Sequence, residues 1–159
     1  IGKKKNKQKF TIMQDADLEY DPKDYLKILK VLMKNKYRVV YGSRVLNTKR
    51  YSNNNFTSNL RVFANHVLTI VSNLINSQNL TDAHTCYKAF DTKVFRKINL
   101  KENGFSFCPE ITTKISNLGL DIFEVKISYN GRDYKSGKKI SFMDGFDALW
   151  TLIKYKINK

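Results

Sequence analysis

The sequence contains few of the residues that mark disulfide-rich, low-complexity or membrane-spanning chains. In 159 residues there are two cysteines, two prolines and seven glycines. Cys86 and Cys108 fit a reducing compartment, and without a CxxC motif or a Cys/His spacing they are not a zinc site. The scarcity of proline and glycine argues against low-complexity linkers. No apolar run approaches the roughly 20 residues that a membrane-spanning helix needs.

Acidic residues are also scarce, with 14 Asp and Glu against 29 Lys and Arg, and the formal net charge is +15. This excess fits nucleic acid, an anionic membrane surface or a phosphorylated substrate, and equally a solvated lysine-rich surface. A hydrophobic content of 42% is sufficient for one domain with a real core. Against this basic background, the stretch TIMQDADLEYD places an acid at every second position: Asp15, Asp17, Glu19 and Asp21.

Hydrophobic patterning predicts strands and helices in alternation. The predicted strands are FTIMQ, YRVVYGS, the end of TDAHTCYKAF and DIFEVKISY. Helices are expected at 22–35, with Leu26, Leu29 and Leu32 or Met33 facing inward, then at 57–75, after Asp91, at 109–119 and at 141–159. The order indicates an α/β layered fold with a largely parallel sheet, in which ligands bind beyond the carboxyl ends of the strands.

The acid cluster lies at such a strand end. Extended backbone directs alternate residues to one side, so Asp15, Asp17 and Glu19 are expected to share a direction. Their mutual repulsion would become attraction around a divalent cation, and oxygen-only ligands suit Mg²⁺ or Mn²⁺. An acidic loop that caps neighbouring helices is the structural alternative. Asp21, directly before Pro22, is predicted to be a helix N-cap.

Six ordered blocks, QDADLEYDP, YGSR, TDAHTCYKAF, GFSFCPEI, FEVKISYNGR and SGKKISFMDGFDAL, resemble the family-2 glycosyltransferases. They are most similar to the branch that acts on polyprenyl phosphates, which includes dolichyl-phosphate mannosyltransferase. The resemblance implies a Rossmann-like GT-A fold and an inverting transfer of a sugar from a GDP- or UDP-sugar to a polyprenyl or dolichyl phosphate. It also implies a peripheral position at the cytoplasmic membrane face and a part in cell-envelope glycan synthesis.

The resemblance also assigns residues. Asp15 and Asp17 would form the DxD motif that holds Mg²⁺ or Mn²⁺ against the donor diphosphate, with Glu19 as a further metal ligand. Catalytic roles are implied for Asp17, Asp82 and Arg44, and Glu110 is a candidate for orienting the sugar. The donor diphosphate would also meet the basic residues of a closing loop: Arg132, Lys138 and Lys139. The acceptor phosphate would meet three residues: Arg44, Arg61 and Asn65.

Several of these assignments have structural alternatives. Asp82 could be a turn or capping carboxylate that orients nothing, and Glu110 begins a helix, where the dipole alone favours a carboxylate. His84 is expected to be a loop residue. The terminal segment, 141–159, is expected to lie in the membrane interface or to pack against the sheet.

Relative to the family, the chain resembles a single partial GT-A catalytic domain, 1–159, without the strands that precede the acid motif. We therefore expect a sheet with an unprotected edge, self-association through that edge, and weak or no activity of this portion alone. A metal-dependent nuclease or nucleotidyltransferase and a basic nucleic-acid-binding module are the alternative functions. The last is disfavoured because an acid cluster without metal repels phosphates and no RNA-binding motif is present.

Overall fold

The computed structural model describes residues 8–47, 56–130 and 142–158, without the side chains at 56–59, 61 and 142. Arg132, Lys138 and Lys139, and the side chain of Arg61, lie outside the described part. The described chain has mixed α/β architecture, as predicted. Its strands are β1 (Phe10–Met13), β2 (Val39–Ser43), β3 (Lys88–Asp91) and β4 (Ile122–Lys126), and its helices are α1 (Tyr25–Met33), α2 (Phe56–Asn76), α3 (Thr92–Phe95), α4 (Phe107–Asn117) and α5 (Phe142–Ile157).

The sheet has the order β1-β3-β2-β4. β2 and β4 are parallel, whereas β3 runs antiparallel to both β1 and β2. β1, β2 and β4 therefore point the same way, but two of the three hydrogen-bonded pairs are antiparallel. The expectation of a largely parallel sheet was wrong in this respect. Hydrophobic patterning reports which residues are buried, and it carries no information on the direction of a strand that is buried on both faces.

Helix starts follow the capping rules that the sequence suggested. The Asp21 carboxylate accepts a hydrogen bond from the Lys23 backbone N–H at 2.9 Å, ahead of a short 3₁₀ turn, Pro22–Asp24, that leads into α1. The Asp91 carboxylate likewise accepts from the Lys93 backbone N–H at 2.7 Å and caps α3. Asp21 is thus confirmed as an N-cap.

Two hydrophobic clusters cover the two faces of the sheet. Alternation along β2 sends Val39 and Tyr41 to one cluster, which includes Ile111 and Ile115 of α4. Val40 lies in the other cluster, together with the inner face of α1.

The inner face of α1 is formed by Ile28 and Leu32, which are buried. Leu26 is 64% exposed, so its predicted inward orientation was wrong, and of the two alternatives Leu32 and Met33 it is Leu32 that faces inward, with Met33 64% exposed. Leucine and methionine recur on more than one side of this helix, and periodicity alone did not choose the side that meets the sheet.

The helix α2 has an unusual orientation. Its buried residues include Thr69, Ser72 and Asn76, which are polar. The Asn76 side-chain amide donates to the Thr113 hydroxyl at 3.2 Å, and the backbone carbonyl of Asn76 accepts from the Ser116 hydroxyl at 2.7 Å. These bonds hold α2 on α4 through polar groups, and most of the apolar stripe that the sequence showed is exposed: Leu60, Phe63, Val67, Ile70 and Leu74.

The carboxyl end of β2 leads directly into the candidate site. At Gly42 any side chain would collide with its surroundings, because a Cβ there would lie 2.8 Å from a methyl carbon of Ile127 and 3.0 Å from Cβ of Tyr87. Glycine thus lets the end of β2 lie tightly against its neighbours. The next two residues, Ser43 and Arg44, begin the loop that carries the basic side of the site.

Candidate active site

The loop that carries Asp15, Asp17 and Glu19, which we call the acid loop, begins where β1 ends. Asp15 is exposed and Asp17 is half-buried, and the turn that holds them passes through Leu18, which has a positive φ of 61°. The Asp17 carboxylate accepts a hydrogen bond from the Glu19 backbone N–H at 3.2 Å. The loop therefore presents two carboxylates at a strand end, where the predicted fold places ligands.

Glu19 has a different environment from the two aspartates. It is buried, and its carboxylate accepts a hydrogen bond from the Tyr129 hydroxyl at 2.7 Å. Its carbonyl accepts from the Asn130 backbone N–H at 2.9 Å, next to the bridge between Tyr20 and Tyr129. Glu19 thus ties the acid loop to the segment that follows β4.

The positions of Asp15, Asp17 and Glu19 show how far the site fits a divalent metal ion. Across residues 8–47, 56–130 and 142–158, no group of three His, Cys, Asp or Glu side chains is arranged to hold a metal ion. The Glu19 carboxylate is buried against Tyr129, whereas Asp15 is exposed and Asp17 half-buried, and the metal-ligand role of all three stays a prediction. Mg²⁺ bound with a nucleotide usually takes one or two protein carboxylates, and substrate phosphates and water supply its other ligands. The two aspartates fit that chemistry.

The Cys86 thiol, beside Asp15, and the His84 imidazole, near Asp82 and Arg44, are not charged at neutral pH. Burial and a hydrogen bond with Asp15 raise the pKa of the Cys86 thiol to about 12. Burial, assisted by the nearby Lys88 ammonium, lowers the pKa of His84 to about 4. Because thiols bind metals as thiolates, Cys86 is a poor metal ligand here.

Arg44 and Asp82 form a shielded ion pair in the site. Arg44 Nε donates to Asp82 Oδ2 at 2.7 Å and Arg44 Nη2 donates to Asp82 Oδ1 at 2.8 Å. The Arg44 backbone N–H also donates to Oδ2, at 3.1 Å. Both side chains are shielded, with 16% of Arg44 and 5% of Asp82 exposed. A planar, two-point contact of this kind fixes the guanidinium in one orientation.

The electrostatics of the pair are reciprocal. Burial alone would raise the pKa of Asp82, but the charge and hydrogen bonds of Arg44 lower it overall. Burial would likewise lower the pKa of Arg44, and Asp82 raises it well above its usual value. A carboxyl group whose pKa is depressed by folding stabilises the fold above its unfolded pKa of about 3.9, and this contribution is lost as the pH falls through the folded pKa. Both groups are therefore ionised throughout the neutral range.

Tyr129 joins the acidic and basic halves of the site. The guanidinium carbon of Arg44 lies 5.1 Å from the centre of the Tyr129 ring, and the hydroxyl of the same ring donates to Glu19. A continuous series of contacts therefore runs from Asp82 through Arg44, Tyr129 and Glu19 to the backbone of the acid loop. Sequence reasoning did not identify Tyr129 as a site residue, although its place within the FEVKISYNGR block was a usable signal.

The structure describes fewer contacts for the remaining predicted site residues. Asn65 is half-buried on α2, and its carbonyl accepts from the Thr69 hydroxyl at 2.8 Å. Its amide has no described contact with Arg44 or with the acid loop, and its predicted acceptor role stays a prediction. The same holds for the residues outside the described part: Arg61 (side chain), Arg132, Lys138 and Lys139.

Glu110 is fully buried in the first turn of α4. Its two carboxylate oxygens accept the backbone N–H groups of Lys101 and Glu102 at 2.8 and 2.9 Å, and Lys114 Nζ lies 2.5 Å from Oε1. These contacts favour the structural alternative over the sugar-orienting role, because they engage both oxygens inside the protein.

We expect Glu110→Ala to lower the free energy of unfolding by about 3 kcal/mol, because it leaves two backbone N–H groups and a lysine without their carboxylate. Urea unfolding followed by circular dichroism measures the change. Asp121→Ala, on an exposed residue, is the control and should change it by less than about 0.5 kcal/mol. A Glu110 variant that keeps its stability but loses catalysis would restore the sugar-orienting role.

Comparison with known proteins agrees with this fold. Residues 2–99 match the model of the family described as Glycosyl transferase family 2. The chain is 27% identical over 153 residues to an uncharacterized protein of Methanocaldococcus jannaschii, covering 95% of this chain and 62% of that protein. It is 24% identical over 147 residues to the UDP-N-acetylglucosamine–dolichyl-phosphate N-acetylglucosaminyltransferase of Methanococcus voltae, covering 91% of this chain and 57% of that protein.

The chain belongs to glycosyl transferase family 2, since the family model matches more than half of it. It spans 57% to 62% of the length of these two relatives. The matched part includes the acid loop, Arg44 and Asp82.

Proposed function

We propose that the chain is the catalytic part of an inverting, metal-dependent glycosyltransferase that moves a sugar from a UDP- or GDP-sugar to a polyprenyl or dolichyl phosphate. The observation that carries the proposal is the buried Arg44–Asp82 pair, linked through Tyr129 to the acid loop. This arrangement connects a fixed cation, through Tyr129 and Glu19, to the loop that carries Asp15 and Asp17. Family membership and the activity for which the M. voltae relative is named support the same function.

The two halves of the site suit the two phosphate-bearing substrates. In the proposed reaction an acceptor phosphate oxygen attacks the anomeric carbon as the bond to the donor diphosphate breaks, and a nucleoside diphosphate leaves. Asp15 and Asp17 would hold Mg²⁺ or Mn²⁺, which when bound would stabilise the negative charge that grows on the diphosphate.

Arg44 would bind the acceptor phosphate and hold it in line with the anomeric carbon. Asp82 keeps the guanidinium in a single orientation. Because the acceptor phosphate is already anionic at neutral pH, no strong general base is required. The neutral state of His84 and the protonated state of Cys86 are compatible with such a reaction.

A membrane-surface location is part of the proposal, because the acceptor is a lipid. α5 buries Ala148, Leu152 and Tyr155 and exposes an outer row of apolar side chains: Met143, Phe146, Trp150, Ile153 and Ile157. α2 packs against α5 and exposes its own apolar stripe. We call these two sets the apolar rows.

Among the helices of the described residues, none has both the length and the hydropathy required to cross a bilayer. We propose that the apolar rows enter the membrane interface at the cytoplasmic face, where Trp and Lys side chains are well accommodated.

We expect the double variant Phe63→Ser and Trp150→Ser to weaken vesicle binding by about tenfold or more, since each side chain contributes about 1 kcal/mol of apolar transfer. The measurement is co-flotation with liposomes that contain anionic lipid. The matched control is Leu26→Ser with Met33→Ser, which removes two equally exposed apolar residues from α1. Equal loss in both double variants would contradict a specific role of the apolar rows.

The decisive experiment uses the full natural protein with labelled nucleotide-sugars, a polyprenyl phosphate and Mn²⁺. UDP-N-acetylglucosamine is the first donor, followed by other UDP- and GDP-sugars. Formation of a lipid-linked sugar that stops on addition of EDTA is the expected result. Absence of product with every donor, together with cleavage of DNA or RNA in parallel reactions, would favour the nuclease alternative and overturn the proposal.

A further inference from the structure

Glu124, on β4, holds the loop that carries Asp82. Its Oε2 accepts the Thr81 backbone N–H at 2.7 Å and the Thr81 hydroxyl at 2.8 Å, and its Oε1 accepts the Asp82 backbone N–H at 2.9 Å. One carboxylate thus receives three hydrogen bonds from two consecutive residues. The backbone of Asp82 is fixed relative to the sheet by this contact.

The hydrogen bonds of the Ser43 and Thr81 hydroxyl groups beside Glu124 run in one direction, from donor to acceptor toward the carboxylate. Ser43 Oγ accepts the backbone N–H groups of Val45 and Leu46 and lies 2.7 Å from Thr81 Oγ1. Since the Thr81 hydroxyl donates to Glu124, Ser43 must donate to Thr81. The same carboxylate therefore orders both the Asp82 loop and the turn that carries Arg44.

A buried cation holds the other end of this loop. Lys88 is fully buried on β3, and its ammonium donates to the carbonyls of Ala83 and Thr85. Lys88 Nζ also lies 4.5 Å from the centre of the Tyr41 ring. Residues 81–85 are thereby held at both ends. The Glu124 carboxylate on β4 accepts their first two backbone N–H groups, and the Lys88 ammonium on β3 donates to two of their backbone carbonyls.

We propose that Glu124 is a positioning residue that sets the orientation of Arg44 through Asp82, and so determines how well the acceptor phosphate is bound. The inference rests on the proposed function, because it deepens the role of the same arginine. Glu124 has no described contact with Arg44 itself, and it acts through the backbone and carboxylate of Asp82. Lys88 supports the same loop from its other end.

Glu124→Gln is the informative variant, because it keeps one oxygen acceptor and replaces the other with an amide that meets N–H donors. Burial already raises the pKa of Glu124, so loss of its charge is not expected to prevent folding. Glu102→Gln is the matched control, because Glu102 accepts from Lys154 and Tyr155 outside the site. Farnesyl phosphate serves as the acceptor probe.

In the full natural protein, Glu124→Gln should raise the KM for farnesyl phosphate about tenfold and change the KM for the nucleotide-sugar by less than about twofold. The double variant with Arg44→Ala should be no worse than Arg44→Ala alone, because residues that act in series are not additive. Additive losses, or equal losses for donor and acceptor, would overturn the inference. Should Glu124→Gln not fold, Thr81→Ala carries the same test with the same criteria.

A second readout separates this inference from the proposed function. The Arg44 Nε–H group is hydrogen-bonded to Asp82 and should give a slowly exchanging NMR signal in ¹⁵N-arginine-labelled protein. Glu124→Gln should speed its exchange by about tenfold or more, and Glu102→Gln should not. An unchanged Arg44 signal in Glu124→Gln would overturn the positioning role. If the wild type transfers no sugar to any prenyl phosphate, the proposed function fails whatever the signal shows.

Discussion

Asp17→Ala is expected to abolish sugar transfer, with kcat lowered by about a hundredfold to a thousandfold or more. The physical reason is that a cation with one carboxylate fewer is held less well against a diphosphate whose charge grows in the transition state. Asp17 is also the acid whose carboxylate orders the loop, because it accepts the Glu19 backbone N–H. The measurement is lipid-linked sugar formed per minute at saturating donor and acceptor.

The matched control for this variant lies four residues away. Asp21→Ala removes an equally charged residue from the same acidic stretch, but Asp21 only caps the turn before α1. It should lower the free energy of unfolding by about 1 kcal/mol and leave transfer close to the wild-type rate. Equal activity of the two variants would contradict a catalytic role for Asp17. If Asp17 is a metal ligand, a higher Mn²⁺ concentration should partly restore the transfer activity of Asp17→Asn.

Arg44→Ala is expected to reduce kcat/KM for the acceptor by about a hundredfold, mainly through KM, with a small effect on donor binding. It also leaves Asp82 buried without its partner, which costs about 3 kcal/mol of stability. Arg44→Lys avoids that cost by keeping the charge. It loses the planar two-point contact, so its acceptor KM should rise by about tenfold with the fold intact.

The control is Arg38→Ala, which removes an arginine of similar charge that pairs with Asp91 at the surface. It should change neither KM by more than about twofold. If Arg44→Lys and Arg38→Ala behave alike, the site does not use the guanidinium for phosphate recognition.

Local physics made much of the fold accessible from the sequence. The N-caps at Asp21 and Asp91 depend on residues two positions apart, and the strand that ends at the acid loop is marked by a short apolar run. The assignment of Arg44 and Asp82 to the site came from family resemblance. Their pairing could not have been predicted by spacing, because 38 residues separate them and β3 had to run antiparallel for the loops to meet.

The environment of Glu19 was also beyond sequence reasoning. Alternation predicts that Asp15, Asp17 and Glu19 share a direction only while the backbone stays extended. The positive φ at Leu18 interrupts that extension, and Glu19 is buried against Tyr129. A single turn residue thus separated one acid from the other two.

The helix α2, which buries polar residues and exposes most of its apolar stripe, has a practical consequence for protein engineering. A designer who follows the usual rule would replace polar residues on the buried side with leucine to raise stability. Asn76→Leu would then leave the Thr113 hydroxyl without the hydrogen bond that the Asn76 side-chain amide donates to it. Conversely, serine or lysine in place of the outward Phe63 or Leu74 would improve solubility in detergent-free buffer at little cost in stability, since both are more than half exposed. In this helix the described apolar side chains are mostly on the exposed side and polar ones are buried, so hydropathy alone does not indicate which positions can be changed safely.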